Sequence, residues 1–89
     1  VLGLVQYEKN EVSRMPHVIV KMYKGRTEEM KRNMAEEVTK AIVKSLNVNE
    51  SSVSVAVEEF EPEEWNEAVY KPDIIDKEHT LYKKPGYEP

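Results

Sequence analysis

The most reactive group this sequence offers is not a side chain. Pro16 follows Met15, and methionine is normally removed before proline, so a chain initiated at Met15 begins with a free prolyl amine. A secondary amine has no side-chain equivalent. Desolvated and set beside a cation, it loses its proton more readily, because both effects disfavour the charged form. An amine brought near neutrality can take a proton from one carbon or oxygen and return it to another. The ordinary reading of the same residue is a proline opening a strand, which a sheet tolerates. Little else competes. The sequence has no cysteine and two histidines, His17 and His79, so it has no thiolate chemistry and too few ligands for a conventional zinc site. Both histidines read as surface or strand residues. The acids Glu58, Glu59, Glu61, Glu63 and Glu64 read as a solvated face rather than paired catalytic carboxylates. No Ser/His/Asp constellation, phosphate loop or metal motif is present, and neither metal nor cofactor is expected.

The elements that would position Pro16 follow from local patterning. His17–Met22 is short and β-branched, which predicts a strand. Tyr23-Lys24-Gly25-Arg26 predicts a turn, with Gly25 free to adopt positive φ. Thr27 is placed to cap a helix whose first turn carries Glu28 and Glu29, where the dipole favours acids. Met30, Met34, Val38, Ile42 and Leu46 recur at helical spacing and predict one buried stripe. Asn47 to Ser51 ends the helix. Ser52–Glu58 then alternates, with Val53, Val55 and Val57 on one face, and predicts a second strand. A strand, a helical crossover and a strand imply a right-handed βαβ unit with parallel strands. Pro62 and Pro72 are expected to break the remainder into short pieces around Trp65. The Pro- and Gly-containing tail is expected to pack on a neighbouring subunit.

The whole chain limits the possibilities. Its 89 residues make one small domain with a thin core, and two strands make a poor sheet, so both arguments point to a homo-oligomer. A net charge of −4 and pI near 5.2 argue against nucleic acid, whose phosphates need a basic surface. Charged residues of both signs make up 34% of the chain and no apolar run is long enough for a bilayer, which leads us to expect a cytoplasmic protein without a membrane partner. Residues 1–15 show no sustained period. Glu11-Val12 can be encoded by a purine-rich GAGGTG resembling a bacterial ribosome-binding site ahead of Met15. We expect residues 1–15 to be an N-terminal extension, either a mis-assigned start or a disordered arm, and residues 16–89 to be the domain. On residues alone the reading stops at a small α/β, βαβ oligomer.

The order and lengths of Met15–Ser54, and less tightly the remainder to Tyr87, resemble the 4-oxalocrotonate tautomerase family. Pro16, Gly25-Arg26, the helix bearing Lys31, and Ser51-Ser52-Val53 hold that family's register. Trp65 and the tail Lys83-Lys84-Pro85-Gly86-Tyr87 resemble its small dimeric bacterial branch. The resemblance implies that Pro16 is the general base. It implies that Arg26 holds a substrate carboxylate, a task suited to a planar, permanently charged fork. It implies that Trp65 lines the pocket and keeps the proline's surroundings apolar.

One position departs from the family. Where several members carry a second arginine early in the second strand, this chain has Ser54. A hydroxyl donates one hydrogen bond without a full charge, so stabilisation of an oxyanion is expected to be weaker. That favours a monoacid, such as the enol of an aryl pyruvate, over a dicarboxylate. The expected activity is cofactor-independent keto–enol tautomerisation of an enolic 2-oxo acid or 2-hydroxydienoate by a homodimer. The alternatives are a non-catalytic oligomeric binding protein on the same fold, or a decarboxylase or hydratase using the same proline.

Overall fold

In the computed structural model, residues 15–89 are described; the expected extension, apart from Met15, lies outside them. Strand β1 (His17–Tyr23) leads through a turn to helix α1 (Glu28–Leu46), and a short 3-10 turn, Glu50–Ser52, precedes strand β2 (Ser54–Phe60). β1 and β2 form a two-stranded sheet. Its register is marked at one end by Ser54 N–H donating to the Pro16 carbonyl (3.2 Å), and at the other by Lys24 N–H donating to the Phe60 carbonyl (3.0 Å). Residue numbers rise together along both strands, so the pair is parallel. The expected βαβ unit is therefore present, its second strand beginning and ending two residues later than the alternation indicated.

The turn and the helix follow from local chemistry. Gly25 has φ +127°, a conformation that costs other residues dearly. The Thr27 hydroxyl accepts from Met30 N–H at 3.1 Å, satisfying one of the donors left open at a helix start. At the other end Asn47 adopts a left-handed conformation and returns its N–H to the Val43 carbonyl (2.9 Å), the role more often taken by glycine.

The contacts group the described chain into two compact units. The first comprises residues 15–20 with Arg26–Glu58, and the second Lys21–Gly25 with Glu59–Pro89. Within the first, Ala35, Glu36, Thr39 and Lys40 of α1 line one shallow cavity with Glu50 and Val55, which places the helix over the valine face of β2. The expected buried stripe is only half covered: Met34, Val38 and Ile42 are half-buried, whereas Met30 is 55% exposed and Leu46 51%. Helical period selects a face but not its cover, and two strands are too narrow to cover five helical turns. Among the described residues only Val48 and Val69 are buried apolar side chains.

The second unit corrects one expectation. Pro62 does open a short 3-10 turn, Pro62–Glu64, capped reciprocally by Glu61 and Glu64, with Glu61 N–H donating to Glu64 Oε1 at 2.8 Å. Pro72, however, breaks nothing; it sits inside a ten-residue π-helix, Asn66–Ile75. In an α-helix the proline ring would collide with the carbonyl four residues back. In π register the hydrogen bonds reach back five residues, as Asp76 N–H does to Lys71 (2.9 Å), and the wider turn accommodates the ring. The tail also packs on its own chain: Tyr87 meets Tyr70 at 6.0 Å between ring centroids, and Lys84 pairs with Glu78 (3.5 Å).

Candidate active site

Pro16 is half-buried immediately before β1. Its carbonyl is held by the amide of Ser54, the first residue of β2, so two of the four residues singled out from sequence are joined through the sheet's first hydrogen bond. The Ser54 hydroxyl is exposed and lies 2.6 Å from Nδ1 of His17, the residue that follows Pro16. Because these two side chains meet, they share a sheet face, and strand alternation puts Val18 and Val20 with Val55 and Val57 on the other. The open face thus carries His17 and Ser54 at the end nearest Pro16. Arg26 stands exposed just beyond Gly25, in the same unit as Pro16 and Ser54.

Trp65 belongs to the second unit, where it is half-buried and anchored on three sides. Tyr23 meets it edge-to-face at 5.2 Å and Phe60 at 6.2 Å, each with rings 82° apart. Its Nε1–H donates to the Tyr87 hydroxyl at 3.2 Å. Such aromatic pairs contribute about 0.5–1.5 kcal/mol beyond their buried area, and they fix the plane of the indole. The half-buried pair Lys21–Asp73 ties β1 to the π-helix in the same unit.

Glu61 and Glu64 cap the turn before Trp65, and His79 is exposed in the 3-10 turn Glu78–Thr80. No group of three or more metal-ligating residues occurs among those described. No described helix is long and apolar enough to cross a membrane. Sequence reasoning missed two things: the contact between His17 and Ser54, and the partners of Trp65. The first had a usable signal. Two parallel strands whose first residues are His17 and a residue near Ser54 bring both to one end of the sheet. The second had none, because Tyr23, Phe60 and Tyr87 are brought to Trp65 from different elements.

The profile of the tautomerase enzyme family matches residues 16–68. Tautomerase PptA of Cronobacter sakazakii is 43% identical over 75 residues, spanning 83% of this chain and 99% of that protein. A probable tautomerase of Xylella fastidiosa is 40% identical over 73 residues, or 82% of this chain and 89% of that protein. Among solved structures YwhB, a homologue of 4-oxalocrotonate tautomerase, superposes with a TM-score of 0.51 at 43% identity, over 52% of this chain and 75% of its own.

Proposed function

Because the chain belongs to the tautomerase family, we propose that it interconverts enol and keto forms of a 2-oxo acid, with Pro16 as the base. The observation that carries this reading is the start of the family match at Pro16, the one residue whose backbone nitrogen becomes a free amine once Met15 is removed. The Pro16 nitrogen takes the enol hydroxyl proton. The pair left on the oxygen closes the carbonyl, the C=C pair shifts onto the adjacent carbon, and the prolinium N–H delivers its proton to that carbon. Atoms and charge balance with no cofactor.

The remaining roles follow from chemistry at each position. Arg26 is exposed and suited to grip the substrate carboxylate as a bidentate fork. Ser54, tied to the Pro16 carbonyl, donates to the developing oxyanion. Trp65 supplies an apolar surface for an aryl group, with its own N–H already engaged by Tyr87. Lacking a second arginine at position 54, the chain is better matched to a monoacid, such as an aryl pyruvate enol, than to a dicarboxylate. The open two-stranded sheet, with Ile19 and Tyr23 exposed on β1, supports completion by a second copy of the chain in a dimer.

Intact mass of the protein from its native host, followed by a tautomerisation assay with an aryl pyruvate enol, tests this reading. A mass beginning at Pro16 together with turnover supports it. A mass retaining residues 1–15 leaves Pro16 as an amide with no lone pair to offer, and the protein is then a binding module on the same fold.

A further inference from the structure

The contact between His17 and Ser54 is one that the fold does not need. Both side chains are exposed, and their Nδ1···Oγ distance is 2.6 Å. Water could satisfy either group, so the bond adds little net stability. The strands are already held in register there by Ser54 N–H on the Pro16 carbonyl. What the contact does control is where the serine hydrogen points. A hydroxyl has one hydrogen and two acceptor positions, whereas imidazole Nδ1 either carries a hydrogen or accepts one.

We propose that His17 is a positioning residue for this reaction: the protonation of its Nδ1 decides whether the Ser54 hydroxyl turns its hydrogen inward to the imidazole or outward to the substrate oxygen. The inference rests on the tautomerase reading above. With Nδ1 bare, Ser54 donates to it and presents only lone pairs to an incoming anion, which repels the enolate. With Nδ1 protonated, Ser54 accepts from His17 and its hydrogen is free for the oxyanion. In the imidazolium form a positive charge also stands behind that hydroxyl, partly replacing the charge that serine does not supply. Histidine is the side chain that ordinarily changes charge between pH 5 and 8. By strand alternation the ionisable groups on its sheet face are Lys21 of β1, which pairs with Asp73, and Glu58 of β2; the Pro16 amine, once freed, is its neighbour in the chain.

Proton demands on the two neighbours are therefore opposed. Pro16 must be unprotonated to act, which gives an acid limb. His17 is most useful protonated, which gives a fall on the alkaline side to a lower plateau, because neutral imidazole divides between its two tautomers. The test is the pH profile of kcat/KM for an aryl pyruvate enol, measured on the protein as isolated from cells and on its His17→Asn and Ser54→Ala variants. Imidazole ¹⁵N shifts of His17 are followed through the same pH range in the wild type and Ser54→Ala.

An alkaline step of roughly fivefold is expected in the wild type, about what one neutral hydrogen bond contributes. It should vanish in His17→Asn, whose amide does not titrate, while the acid limb stays. It should vanish in Ser54→Ala as well, and the His17 shifts should titrate differently without the hydroxyl. Persistence of the step in His17→Asn overturns the inference, as does an active wild type with no step, or a His17 titration indifferent to Ser54. A wild type starting at Pro16 that turns over no enol at any pH sinks the tautomerase reading itself, and the inference with it.

Discussion

The two compact units differ in what holds them and in what they offer. The unit containing Pro16, Arg26 and Ser54 is built from local rules: a capped helix, a glycine turn and an alternating strand. The unit containing Trp65 is built from side chains that meet across long stretches of chain, chiefly Tyr23, Phe60, Tyr70 and Tyr87. The first presents polar chemistry on an open sheet face; the second packs aromatic rings around an indole. Substitutions at the exposed polar site residues of the first should therefore cost turnover before stability, and substitutions in the aromatic cluster of the second the reverse.

The largest separation is expected at Arg26. Arg26→Ala should lower kcat/KM for an aryl pyruvate enol by roughly 10- to 100-fold, since a charged hydrogen bond contributes about 1.5–3 kcal/mol. The loss should fall mainly on KM, with the urea midpoint unmoved. Arg26→Lys should recover only part, because a point charge does not reproduce the planar fork. An equal loss of stability in Arg26→Ala would erase the contrast between the units.

Trp65→Ala should destabilise the protein by about 3 kcal/mol in urea unfolding, the low end for a large aromatic because the ring is half-buried. Trp65→Phe keeps the edge-to-face packing and loses the bond to Tyr87, at a cost of about 1 kcal/mol. Should the two variants prove equally stable, the aromatic contacts are not what holds this unit.

In the first unit, Thr27→Ala removes the hydroxyl that accepts from Met30 N–H and should cost about 1 kcal/mol, read as reduced helicity and midpoint with little change in kcat/KM. The smallest effect concerns Glu28. Its hydrogen bond to Lys31 (2.9 Å), and then the lysine's charge, hold its carboxyl below its ordinary value of 4.5. A carboxyl lowered on folding stabilises the fold above its unfolded pKa, and that contribution fades as pH falls through the lower folded value. Glu28→Gln should thus be indistinguishable from wild type in strong acid and slightly less stable at neutrality, by pH-dependent thermal unfolding.

The same division governs what could be read from residues alone. Gly25, Thr27, Asn47 and the alternation of Val53, Val55 and Val57 each act within a few residues of themselves, so local patterning reveals them. The stripe from Met30 to Leu46 was legible as a helix but not as a half-covered one, because its cover depends on how wide the sheet is. Pro72 misled because its breaking power belongs to the α-helix, not to the π-helix it occupies. At the candidate site, Pro16 and Arg26 stood out by position and family register. The bond from His17 to Ser54 depends on the pairing of strand starts 37 residues apart in sequence, which neither residue signals by itself.

Val48 and Val69, the buried apolar side chains among the described residues, have a consequence for the life of the protein in a cell. In the dimer proposed above, a chain that shields so little of itself draws stability from its copy by mass action, so its folding free energy is a function of its own abundance. Dilution then acts as a denaturant. Copies produced at low level spend more time open to proteases, whereas those produced in excess protect one another, so steady-state amounts should rise more steeply than synthesis rate.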